Sequence, residues 1–147
     1  MRISTKIRYG TRAILELASH YGKGPVDLKE IAKKENISLK YLEQVIIPLK
    51  SAGLLKAIRG AKGGYSLAKP PSEISLNDVV KVLDGPVDLV ECIKDPDSCP
   101  KSSTCITRDI WKEASEALEK VFSAITFEEM LRRRKEREEK SPPMYQI

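Results

Sequence analysis

The segment CIKDPDSCPKSSTC, residues 92–105, contains all three cysteines of this 147-residue chain. A single disulfide would leave one thiol over, so the trio reads first as a set of ligands short of a fourth. Three thiolates suit an iron–sulfur cluster, usually held by four protein ligands, or zinc, which they would hold tetrahedrally. A third chemistry needs no metal, because grouped thiols can oxidise directly and act as a switch. No cysteine–histidine pair of recognisable spacing, phosphate loop or acid–base carboxylate pair stands elsewhere, so an enzyme is not expected.

The rest of the chain must say what these thiols would control. An apolar fraction of 41% and a charged fraction of 32% suit one soluble globular domain with an appendage. No apolar run approaches membrane-spanning length, and MRISTKIRYG lacks the apolar core of a signal peptide. A cytoplasmic protein with reduced thiols and no membrane partner is therefore expected. The net charge of +5 is uneven. Residues 1–85 carry 15 Lys and Arg against 8 Asp and Glu, whereas residues 86–147 carry 11 against 13. A basic first half points to a polyanionic partner.

The apolar spacing is mainly that of helices. Ser4 can cap a first helix holding Ile7, Ile14, Leu17, Ala18 and Tyr21 on one side and stopping before Gly22. Asp27 and Glu30 predict a capping box for a second helix, which breaks near Asn36. Ser38 caps a third, with Leu42, Val45, Ile46 and Leu49 inward and a last turn disturbed by Pro48. Two short helices joined by a turn of about three residues form a helix-turn-helix. Lys40, Tyr41, Glu43 and Gln44 fall off the apolar stripe near the N-terminal end of the third helix, the end that reaches base edges. Gln can pair with adenine and Glu can accept from cytosine.

KAIRGAKGGYSLA follows, two extended runs around Gly60, Gly63 and Gly64 with Arg59 and Lys62 beside them. A basic, glycine-tipped hairpin after a helix-turn-helix reads as a wing, its cations suited to phosphates or a narrow minor groove. Ser75 caps a further helix that Gly85 and Pro86 stop. Beyond the cysteines, Ile110, Trp111, Ala114, Ala117, Leu118, Val121, Phe122 and Ile125 form an apolar stripe wider than one packing face needs. Pairing of two copies through this helix would suit a reader of two half-sites.

MRISTKIRYG, ISLKYLEQ, RGAKGGYSL and three cysteines before CITRDIW together resemble the Rrf-two family of bacterial winged-helix transcription regulators, from Met1 to about Leu131. The features are most similar to its iron–sulfur members, the IscR and NsrR types. The resemblance implies a homodimer with a long dimerisation helix, binding double-stranded DNA at a pseudo-palindromic operator under control of a [2Fe–2S] or [4Fe–4S] cluster. By position, DNA contacts fall on Ser38, Lys40, Tyr41, Glu43 and Gln44 in the recognition helix and on Arg59, Lys62, Gly63 and Gly64 in the wing. Cluster ligands fall on Cys92, Cys99 and Cys105. Lys6, Arg12 and Lys62 are expected at phosphates, with Glu43, Gln44 and Arg59 specifying sequence.

Two departures from the iron–sulfur members stand out. The first cysteine gap holds six residues rather than five, an insertion such a loop absorbs easily. Where IscR-like members place a histidine ligand, this chain has Arg108, which cannot donate a lone pair to iron. The position matching the acidic ligand of NsrR-like members is Arg8, and the sole histidine, His20, matches neither. Asp109, Glu91, an exogenous thiol or water remain as fourth ligands. A cysteine-metabolism regulator acting through a protein partner, as CymR-type members do, or through direct thiol oxidation is the alternative, although those members lack the cysteine trio. The expected organisation is a winged helix-turn-helix domain over 1–85 and a cysteine loop over 86–108. A dimerisation helix and short following helix cover 109–131, and a charged, disordered tail covers 132–147.

Overall fold

The Ser4 hydroxyl accepts from the Ile7 N–H at 3.2 Å and starts helix α1, Thr5–Ser19, as its position in the sequence predicts. The computed structural model describes residues 1–141. Helix α2 spans Leu28–Glu35 and α3 spans Leu39–Ser51. Asp27 caps α2 through the Lys29 N–H, and Asn36 closes it in the left-handed conformation at φ 53°. Ser38 caps α3 through the Tyr41 N–H, and α3 runs through Pro48 to its end. The turn between the two helices is residues 36–38, the predicted length.

Strands β1, Leu55–Ile58, and β2, Gly64–Leu67, form an antiparallel hairpin with Leu55 opposite Leu67. The hairpin is anchored on its far side. Val26 and Tyr65 exchange both backbone hydrogen bonds at 2.8 Å, so the chain before α2 acts as a third, one-residue strand. That approach leaves no room for a side chain at 64: a Cβ there would lie 2.3 Å from the Val26 oxygen, and φ is +152°. Helix α4, Leu76–Asp84, opens with a complete capping box between Ser75 and Asp78 and stops at Gly85. Ile14, Leu17, Leu42, Ile46, Leu49, Leu67, Ile74 and Val79 fill the core between these elements.

A four-residue helix α5, Glu91–Lys94, opens the cysteine segment, and α6 follows over Ile106–Ala124. The wide apolar stripe of α6 divides into two faces. Phe122 packs on the core and Leu118 faces Val80 across a cleft, while Ile106, Ile110, Trp111 and Val121 are exposed, at 72% and 56% for the outer pair. Ser115, buried midway, accepts the Leu89 N–H at 3.0 Å and donates to the Trp111 carbonyl, pinning the linker after α4 to α6. At the far end of α6 the chain returns. Leu76 N–H donates to Ile125, and Phe127 N–H donates to Ile74, at 2.8 and 3.0 Å. This bridge carries Phe127 into the core at 0% exposure.

Helix α7 runs from Phe127 to Lys140, which corrects the expectation that order ends near 131 and that 132–140 is a disordered tail. Two kinds of charge pairing make this polar segment helical. Glu129 pairs with Arg132 and Arg133, and Arg132 with Glu136, at three- and four-residue helical spacings. The Arg132 and Arg133 bonds hold the Glu129 carboxyl down at about 2. Arg134 then crosses to α1, where Glu16 receives it at 3.0 Å and Lys34 of α2 at 2.8 Å. Burial alone would raise the Glu16 carboxyl, but the two cations outweigh it and leave the group below its usual value. The end of the expected tail, residues 142–147, lies outside the described residues.

Two outcomes follow from these contacts. Arg134→Ala should destabilise the chain by about 1–3 kcal/mol and speed hydrogen exchange across 127–140, measurable by mass spectrometry. Since the folded Glu16 carboxyl lies below its unfolded value, its contribution is complete above about pH 5 and is lost as pH falls through the folded value. Acid melts should therefore show a smaller pH-dependent loss in Arg134→Ala than in the native chain. Gly64→Ala should cost about 2 kcal/mol or more in thermal unfolding, because strand β2 must part from Val26.

Candidate nucleic-acid interface and cysteine loop

Helix α3 is amphipathic in the sense the site requires. Its inner residues Leu42, Val45, Ile46 and Leu49 are fixed in the core, which turns Lys40, Glu43 and Gln44 to solvent on one face. Ser38 sits at the cap and is exposed, although its hydroxyl is occupied by the Tyr41 N–H. The hairpin stands beside this face. Glu43 and Ile47 line an open groove of about 520 Å³ with Gly60, Ala61, Gly63 and Gly64. Arg59 and Lys62 are exposed at the hairpin tip. The recognition face and the wing thus form one continuous surface carrying amide, carboxylate and cationic groups.

Several predicted residues do other work in this structure. Tyr41 is half-buried, its ring edge-on to Tyr9 at 5.7 Å between centroids, with the Arg12 guanidinium over Tyr9 at 5.9 Å. Tyr41 and Arg12 therefore brace α3 against α1, and Arg12 also faces Glu35 at 4.0 Å. Lys6 donates to the Leu83 carbonyl at 3.3 Å and lies 3.7 Å from Asp84, at the C-terminal end of α4. Gly63 and Gly64 have a packing reason for being glycine: a Cβ at 63 would lie 2.2 Å from the Ile58 oxygen. Ile47, 62% exposed on the same face as Glu43, went unnoticed in the sequence because its apolar type argues for the core. Its offset of four residues from Glu43 was the available signal.

The three cysteines are free and partly accessible. Cys92 lies on α5, Cys99 follows a turn at Pro96–Ser98, and Cys105 is the residue before α6. The Thr107 hydroxyl, 3.1 Å from the Cys105 sulfur, lowers that thiol, aided by the backbone N–H of Arg108. Cys105 makes no strict side-chain cap, so these N–H groups act mainly by their partial charge. His20, for its part, is committed to the end of α1, with Nδ1 2.9 Å from the Glu16 carbonyl. The cysteines fit a thiolate-held cluster in donor type and in sequence proximity. Among the described residues no three ligand side chains converge on one metal position, so binding would draw the loop inward. No described helix is long and apolar enough to cross a membrane.

With the geometry established, the comparisons with known proteins agree on one group. The profile of the Rrf2 (Rrf-two) family, described as an iron-dependent transcriptional regulator, matches residues 3–133. The chain is 42% identical to the HTH-type transcriptional regulator CymR of Bacillus subtilis (strain 168) over 88% of its length and 89% of that protein. The solved structure of that CymR, titled the global cysteine regulator, matches with a TM-score of 0.75 over 88% of this chain and 95% of the other. Identity is 37% with IscR of Serratia proteamaculans (strain 568), over 89% of this chain and 79% of that protein. The structure of T. potens IscR matches with a TM-score of 0.78 at 36% identity, covering 100% of this chain and 94% of that one.

Proposed function

The chain belongs to the Rrf2 family of transcriptional regulators and is not an enzyme, and from that premise we propose a specific mode of control. It acts as a homodimer that binds a pseudo-palindromic DNA operator, with affinity set by an iron–sulfur cluster on Cys92, Cys99 and Cys105. The observation that carries this reading is the place of the cysteine loop. It lies between the end of α4 and the start of α6, tied at one side by the Leu89–Ser115 bond and at the other by the first turn of α6. A change in the loop therefore bears on both the reading domain and the helix expected to join two copies.

The DNA-reading half of the proposal rests on α3 and the wing. Lys62 approaches phosphates, where its charge releases counterions without reading sequence. Glu43, Gln44 and Arg59 face base edges, with Ser38 and Lys40 at the helix end and Gly63 and Gly64 letting the wing backbone approach. The structure shifts the emphasis from Lys6 and Arg12, whose internal pairs would have to open for a phosphate contact. Pairing of two copies is supported by the exposed Ile106, Ile110, Trp111 and Val121 on one long helix, an apolar face of the kind that marks an interface. The absence of a long apolar helix in the described residues is compatible with action in the cytoplasm, where the thiols stay reduced.

A bound cluster would supply one thing, a thiolate-held crosslink among three points of the loop. The chain's own residues do the rest: Ser115 holds the linker, and Phe127 holds the far end of α6. Loss of the crosslink would free the loop and alter how two recognition helices are spaced, so the two states would differ in operator affinity. A second reading has its own support in the 42% identity to CymR and in the separation of the three thiols. In it, a protein partner or direct thiol oxidation controls the same DNA-binding surface without a cluster.

Anaerobic purification with iron and sulfide counting, followed by binding to operator fragments selected from genomic DNA, decides between them. The cluster reading expects visible absorbance that is lost in Cys99→Ala, and operator affinity that differs between loaded and stripped protein. Equal affinity in both states would sink it, and affinity that follows an added protein partner would favour the second reading. Gln44→Ala should relax preference at one base pair per half-site by about 1–3 kcal/mol, whereas Lys62→Ala should weaken all sequences alike and reduce the salt slope by about 1. Identical loss of discrimination in both variants would contradict these roles.

A further inference from the structure

Arg108 stands where the parts of the chain that carry the three cysteines come together. Its Nε donates to the Cys92 carbonyl at 3.1 Å, the only side-chain hydrogen bond joining α5 to α6 among the described residues. Its backbone N–H approaches the Cys105 sulfur. Its side chain lines, with Cys99, Pro96, Asp97, Ser102 and Ser103, an open polar cleft of about 490 Å³. The guanidinium is half-buried, planar and permanently charged, with donors left beyond the one bonded to Cys92. The 95–104 stretch between is otherwise held by bonds within itself: Ser98 and Ser102 hydroxyls donate to the carbonyls of Asp95 and Pro96.

We propose that Arg108 is a positioning residue that holds the three cysteine-bearing segments in one arrangement and keeps a cation in the wall of the cleft that Cys99 also lines. The inference rests on the cluster reading of the loop for its purpose, but not for its geometry. The first turn of α6 sets the guanidinium against α5, because helical side chains lean toward the N-terminus of their helix. Cys92 is thereby fixed relative to Cys105, and Cys99 is left at the mouth of the cleft. An anionic, thiolate-held group entering that cleft would meet a positive charge already in place, without Arg108 serving as a ligand.

The test uses full-length protein, anaerobic and stripped of metal with a chelator. The rate at which iodoacetamide modifies each cysteine is read by mass spectrometry. In Arg108→Ala, Cys92 should react about 10-fold faster, as expected when a local restraint is removed, with helix content and melting unchanged, whereas Cys99 should gain less because the cleft loses a cation that favours the thiolate. Arg108→Lys, which keeps the charge and a donor, should lie between. Unchanged Cys92 and Cys99 rates in Arg108→Ala would overturn the proposal. Should that variant lose α6, Arg108→Met decides: it keeps the length of the stem but no N–H donor, so the Cys92 rate should rise, and an unchanged Cys92 rate would refute the positioning role. Loading with ferrous iron and sulfide gives the second readout. Visible absorbance should fade faster under chelator in Arg108→Ala and be restored in Arg108→Lys. Failure of the unaltered chain to take up a cluster would refute the cluster reading alone, and the alkylation rates would still decide the part played by Arg108.

Discussion

Phe127 enters the core of the winged domain from outside it. The backbone bridge between residues 74–76 and 125–127 pins the end of α6 to the start of α4, and the ring fills space among side chains from the first 85 residues. Everything that follows α4 is governed by that constraint. A helix of 19 residues with a largely uncovered apolar face would otherwise be free to swing on its linker. Fastened at its far end by Phe127 and in its middle by Ser115, it holds one orientation relative to α3. The helix that reads DNA and the exposed apolar face of α6 are thereby parts of the same framework.

The cysteine loop gains its leverage from this arrangement. It connects two helices that are both fixed elsewhere, α4 in the core and α6 through Ser115 and Phe127. Ligand binding within such a segment does not need to move the helices far. The energetic scale of couplings between sites, about 1–3 kcal/mol, is small beside the stability of a domain this size. The charged pairs of α7 with α1 and α2 add a further restraint on the same framework, through a carboxylate that two cations hold below its usual value against the opposing effect of burial.

Much of this was legible in the residues. Ser4, Asp27, Ser38 and Ser75 announce helix starts, and the inward faces of α1, α3 and α4 follow from apolar spacing alone, because caps and periodicity are local properties. The wing was readable from its glycines and flanking cations, though the reason for Gly64 was not: the strand partner that excludes a side chain lies 38 residues away, at Val26. The breadth of the α6 stripe showed that two faces were needed without showing which residues served each. The length of α7 was hidden, since a run of alternating charge reads as solvated until Glu16 supplies a partner over a separation of 118 residues. The packing of Tyr41 and Arg12 on Tyr9 was not legible, because it depends on how α1 meets α3, which no pattern within one helix reveals.

The depth of Phe127 also orders events in time. Synthesis delivers residues 1–85 first, yet the cavity their side chains enclose is sealed only by a residue made near the end of the chain. Residues 1–85 alone therefore leave the place of Phe127 in the core unfilled until the chain has been made past that residue.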